Sequence, residues 1–241
     1  MLMAYPTRGR ANATHTLHEV LWVDLLDPTN DETAGVESKF SLRLPSREEL
    51  SEIESSSRIS EEDGVLFLSM PSFAHAQMLD EAPSPIGFIL SKSILVTVRY
   101  AKLRSFDSVA TKFSKSNAPA SSIETFTAIV DEIVDLSADL LEGIAAELDM
   151  VSRSVFLKSA RKRSKVTRSN DALHGTLIDV GNAGGRLARI RGSLLSLQQI
   201  VPFVSEPRLD WIANNMRSRL KNAQVDLVCL ADYETHLSGN T

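Results

Sequence analysis

The chain has 241 residues, 43% of them hydrophobic, and a formal net charge of -5, which is enough apolar material for one large core or two modest ones. That charge and a pI near 5.6 exclude a chain built as a whole to bind nucleic acid or acidic membranes. The one cysteine, Cys229, makes no internal disulfide, and neither a signal peptide nor an apolar run of roughly 18 residues is present, so the expectation is a soluble chain in a reducing, cytosolic setting.

Residues 1 to 17 are polar and unpatterned, a frayed start or part of one edge strand. His18 to Leu26 (HEVLWVDLL) reads as a strand. Asp27-Pro28-Thr29 then opens a short helix that runs through about Lys39. Ser46 and Glu49 form a capping box, in which the serine hydroxyl accepts from the Glu49 amide and the Glu49 carboxylate reaches back to the Ser46 amide. The box predicts a second acidic helix ending near Ser55 to Ser57.

Glu61-Glu62-Asp63-Gly64 is a tight turn into a strand over Val65 to Phe73, and Ile86 to Lys92 with Ile94 to Tyr100 reads as a hairpin. Three or four strands interleaved with short helices make an α/β layered domain over 1–118. The small, polar stretch Ser114 to Ser122 marks its boundary.

Beyond it the pattern is helical. Ile123, Phe126, Val130, Ile133, Ser137, Leu140, Ile144, Leu148, Val151 and Val155 step by three and four, nearly a heptad seam. A second stripe runs through Leu173, Leu177, Val180, Gly184, Leu187, Ile190, Leu194, Leu197 and Val201 until Pro202 and Pro207 break it. Gly181, Gly184 and Gly185 weaken that helix by about 1 kcal/mol each unless close helix contact needs them. The two helices form a hairpin over 119–206.

A third stripe, Leu209, Ile212, Met216, Leu220, Ala223, Leu227, Leu230 and Leu237, predicts a continuous stalk helix within 207–241, with Glu234 where the next apolar residue should fall. Such a stalk would reach roughly 50 Å, and it carries no basic last turn, so the expectation is a helix cut short rather than capped. The fold class is therefore α+β, an N-terminal layered domain with a mixed sheet followed by three long helices. Charge is segregated along them: Glu124 to Asp149 holds eight acids and no base, and Arg153 to Arg168 holds seven bases and no acid. The basic stretch reads as a solvated helix tip or a partner for the acidic helix.

Three blocks, LPSREELSEIESSSRISEEDGVLFLSM, PIGFILSKSILVTVRYAKLRSFD and LLEGIAAELDMVSRSVF, together with the terminal VDLVCLADYETHLSG, resemble the cytoplasmic part of bacterial CorA-type magnesium and cobalt transporters. The resemblance implies a homopentameric funnel on the cytoplasmic side of the plasma membrane, whose stalk continues into a pore-lining membrane helix. Neither membrane helix nor the family's Gly-Met-Asn motif is in this sequence.

The resemblance also implies a weak regulatory Mg²⁺ between subunits, with Glu48 and Glu49 on one side and Asp232 on the neighbouring stalk, Asp226 being the adjacent candidate. Mg²⁺ keeps most of its waters and is commonly held by one or two carboxylates. A further acidic pair expected in the third block is Ala145-Ala146 here. The transported ion is read as Mg²⁺, with Co²⁺ or Ni²⁺ as further cargo.

Two alternatives stand beside this reading: a zinc transporter of the same superfamily, and a soluble coiled-coil adaptor whose basic helix tip binds an acidic partner. His15 and His18 are three apart but lack a third ligand nearby, and His75, His174 and His236 stand alone. With no phosphate loop and no constellation of nucleophile and base, the chain is not read as an enzyme or a nucleic-acid binder.

Overall fold

The computed structural model describes residues 1–6, 20–52, 54–73, 83–113, 119–160 and 167–239. Strands β1 (Leu2–Pro6), β2 (Val20–Leu26), β3 (Ile59–Glu62), β4 (Val65–Pro71), β5 (Pro85–Leu90) and β6 (Leu95–Arg99) form one sheet in the order β1-β2-β6-β5-β4-β3. The β2–β6 pair is parallel and the other neighbours are antiparallel, so the sheet is mixed. It has six strands rather than three or four. The strand the sequence pattern misses outright is β3 (ISEE), an edge strand without an apolar alternation. It folds back on β4 through Asp63-Gly64, whose φ angles of 51° and 77° suit a tight two-residue hairpin.

Strand alternation gives the sheet two faces. Trp22, Leu66, Leu68, Met70, Phe88, Leu90 and Leu95 point into a large core shared with the long helices. Val23, Leu25, Ile89, Val96 and Val98 point the other way, onto α1 (Asn30–Phe40) and α2 (Arg47–Leu50) through Val36 and Leu50. Helix α1 is capped by Thr29 in a capping box with Glu32. The box at Ser46 and Glu49 forms as read. Its helix is a single turn, however, and a separate α3 (Ser55–Arg58) follows. The Ser51 amide and hydroxyl take up the carbonyls of that turn, and Leu50 is anchored over Gly87 of β5, where an added Cβ would lie 2.7 Å from its Cδ2.

Helix α4 (Arg104–Phe113), which the sequence pattern did not mark, buries Phe106 and Val109 against the sheet. Helices α5 (Ser122–Ala160), α6 (Thr167–Val204) and α7 (Asn214–Ser238) follow. Pro202 does not break α6 but sits in its last turn. Leu177, expected in the buried stripe, is 63% exposed together with Ile178, and the buried stripe begins at Ala183. Gly181 and Gly184 are not needed for close contact either, since a Cβ at either would meet nothing within 4 Å.

The stalk is shorter than its stripe implied. Leu209 and Ile212 are buried, but in a turn, and α7 starts only at Asn214. Its 25 residues span about 37 Å. Arg217 holds the link before α7, its guanidinium donating to the carbonyls of Ser205 at 2.6 Å and of Glu206 and Leu209. These carbonyls belong to the link beyond Val204, and one planar guanidinium with five donors can take up several of them.

Among the described residues three acids of α5 find their cations outside the basic stretch. Glu132 pairs with Lys112 of α4, Glu147 with Arg186 of α6 and Asp131 with Arg219 of α7. Arg153 pairs with Asp149 one turn away, and the other bases of the stretch fall outside the described side chains. Among the described residues no helix is long and apolar enough to cross a membrane.

Candidate metal-sensing site

Glu48 and Glu49 stand on the first turn of α2. Glu49 is engaged at both oxygens: one accepts the Ser46 amide at 2.7 Å and the other the Arg43 guanidinium. Glu48 is exposed, and its own backbone amide and the Ser46 hydroxyl hold its carboxyl below the ordinary value of 4.5. Glu49 serves the cap.

Asp226 and Asp232 are both exposed on α7. Six residues of helix turn them roughly 120° apart around the axis, so they do not converge on one point. Asp232 instead follows Val225, Val228 and Cys229 along one exposed strip of the stalk.

Helix α2 packs on β5, on the face of the sheet away from the long helices, and α7 packs on α5 and α6. One copy of the chain therefore does not bring the two sets of carboxylates together. Among the described residues no three His, Cys, Asp or Glu side chains cluster as metal ligands. His15, His18 and His75 lie outside the described residues, and His174 and His236 are exposed.

Two charged groups that motif reasoning left aside are deeply buried. In the VTVRY block, Arg99 is 2% exposed and grips Asp24, 1% exposed, through Nε at 3.1 Å to both oxygens and Nη2 at 2.8 Å. Its Nη1 donates to the Ala101 carbonyl at 2.9 Å, and its guanidinium lies 5.0 Å from the centre of the Phe106 ring. Thr97 donates to Asp24 at 2.8 Å and receives the Trp22 indole N–H at 3.0 Å. The signal in the sequence was a single charge in each of two strands otherwise built of Val, Leu, Trp and Thr.

The second group is Glu234, buried to 1% in the stripe of α7. It accepts from Arg191 of α6 at 3.1 Å and from Ser238 at 2.5 Å. The polar residue that interrupts the stripe is thus a bond between stalk and hairpin.

The six-stranded mixed sheet backed by three long helices makes the chain an α+β protein. The family described as CorA-like Mg²⁺ transporter protein matches residues 18–237, and the chain belongs to that family. The magnesium transport protein CorA of Wolinella succinogenes is 31% identical over 147 residues, covering 59% of this chain and 46% of that protein. Its counterpart in Campylobacter jejuni is 27% identical over 226 residues, covering 89% and 65%.

The chain thus spans about half to two thirds of the length of these relatives. The soluble domain of CorA from Methanocaldococcus jannaschii superposes over all of this chain and 93% of that one, with a TM-score of 0.73 at 14% identity. The ZntB cytoplasmic domain from Vibrio parahaemolyticus gives 0.71 at 12% identity, covering 99% and 93%. Both share the α+β fold found here.

Proposed function

We propose that this chain is the metal-sensing, gating part of a CorA-type divalent cation channel that carries Mg²⁺, with Co²⁺ or Ni²⁺ as further cargo. The observation that carries the reading is the family match over nearly the whole chain. The placement of the carboxylates is consistent with it, because Glu48 on α2 and Asp232 on α7 are exposed on different sides of the chain, so one copy alone does not join them. In a homopentamer on the cytoplasmic side of the membrane, Mg²⁺ between them would neutralise two facing acids. Its loss would let those acids repel and free the stalk to move. Glu49 would act mainly by holding the turn that presents Glu48, and Asp226 would be an outer partner.

The zinc reading rests on the likeness to the ZntB domain, but the residues available here are carboxylates, which suit Mg²⁺ better than the nitrogen and sulfur donors zinc prefers. The adaptor reading gains nothing from the match and is set aside.

The test is calorimetry with Mg²⁺ on the assembled wild-type chain and on Glu48→Gln with Asp232→Asn. Glu49→Gln serves as the milder variant because an amide can still cap. Weak binding lost in the double variant supports the assignment, and binding that survives it rejects these residues as the sensor. Binding of Zn²⁺ alone would instead favour the zinc reading.

A further inference from the structure

We propose that a second site lies beside α2: a cleft of about 210 Å³ that takes a small oxyanion of the phosphate class. Arg43, Arg58, Glu49, Glu52, Ser60 and Ser69 line it, with apolar walls from Leu50 and Phe67.

Two of these groups are incompletely satisfied. Ser69 is 3% exposed, and its hydroxyl finds no hydrogen-bond partner among the described residues. A buried hydroxyl without a partner costs about 1–3 kcal/mol, so such a group needs a reason. Because Leu66, Leu68 and Met70 of β4 face the long helices, alternation turns Phe67 and Ser69 to the other face, where the cleft opens.

Arg58 adjoins it, since it precedes Ile59, whose partner Leu68 precedes Ser69. The Arg58 guanidinium donates to neutral acceptors only, the Glu52 carbonyl at 2.8 Å and the Ser196 hydroxyl at 3.3 Å, and among the described residues it makes no ion pair. The carboxylates of the cleft do not cancel it: Glu49 is matched by Arg43, and Glu52 is exposed.

A guanidinium whose Nη2 is uncommitted among the described residues, a second guanidinium in a half-exposed pair and a buried hydroxyl are donors suited to tetrahedral oxygens. The volume is smaller than the roughly 300 Å³ at which drug-sized pockets begin, which favours a compact ion over a nucleotide. Arg43 is shared between this cleft and Glu49, so an oxyanion that draws Arg43 inward releases a Glu49 oxygen beside Glu48. That last link rests on the metal reading of α2, and by linkage each ligand then tightens the other.

Calorimetric titration of the chain with sodium phosphate in EDTA reads the cleft without any metal. Binding with a Kd on the order of 1 mM is expected, weakened about tenfold in Arg58→Gln and in Ser69→Ala. Ser69→Ala removes an unpaired hydroxyl, so its melting temperature should equal or exceed that of the wild type, separating loss of binding from loss of fold. No binding by the wild type, or equal binding by both variants, overturns the site. Repeating the Mg²⁺ titration with phosphate present tests the link alone: a higher Mg²⁺ affinity supports it, and an unchanged affinity overturns the link to Glu49 while the oxyanion site stands.

Discussion

The bond between Arg191 and Glu234 makes an asymmetric prediction that a contact list would not. The Arg191 side chain is 47% exposed and the Glu234 side chain only 1%. Arg191→Ala leaves a carboxylate sealed in the α6–α7 seam with only the Ser238 hydroxyl to bond it. Stranding one partner of a buried pair costs about 3–5 kcal/mol. For a chain of this length 1 kcal/mol corresponds to about 2–4 °C, so the melting temperature should fall by roughly 6–20 °C.

Glu234→Leu is the opposite case. It strands an arginine that can turn to water, and it restores an apolar residue between Leu227 and Leu237, which are both buried. Burial of a leucine side chain is worth about 1.5–3 kcal/mol, which offsets the lost hydrogen bonds. That variant should lie within about 1 kcal/mol of wild type, and the double variant should recover most of what Arg191→Ala loses. Urea unfolding of the four proteins, followed by circular dichroism, completes the cycle. If Glu234→Leu is as damaging as Arg191→Ala, or the double variant is additive, the argument that exposure decides the sign is wrong.

Three further outcomes are expected. Asp24→Asn keeps the shape of the strand-pair network but leaves the Arg99 charge buried without its counterion, so it should cost about 3–5 kcal/mol by urea unfolding. Gly181→Ala and Gly184→Ala place a methyl in open space on α6, and each should raise stability by about 0.5–1 kcal/mol in the same assay. Asp135 has its carboxyl pushed above 3.8 by partial burial and by Glu132, Asp131 and Asp139 around it on α5. A raised acid in the folded state favours folding while protonated and opposes it as pH rises through its titration, so Asp135→Asn should stabilise the chain by about 0.5 kcal/mol at neutral pH. The gain should vanish well below 3.8, as comparison of unfolding midpoints at the two pH values will show.

Much of the architecture is written in short-range signals. The capping boxes at Thr29 and Ser46 form as their spacing dictates because donor and acceptor lie three residues apart on one chain. The β5–β6 hairpin, the Asp63-Gly64 turn and the buried seams of the long helices are local in the same sense, since period and turn chemistry need no distant partner. The signals failed where the deciding group lies far away. Strand β3 has little burial of its own and exists because β4 offers it a ladder.

The stalk starts at Asn214, after a link whose carbonyls Arg217 gathers, and the single turn of α2 ends where Leu50 meets Gly87. Leu177 lost its place in the core because a seam is buried only where other helices cover it. Sequence by itself determined the β5–β6 hairpin, the Ser46 cap and the three long helices, which rest on periodicity and on residues a few positions apart, while the family rests on the likeness of whole blocks. Tertiary structure alone decided that Glu234 is held by Arg191, 43 residues away, that Asp24 and Arg99 meet across 75, and that α2 and α7 lie on opposite sides of the chain. A buried charge is stable only beside its partner, and which partner that is depends on how the elements pack.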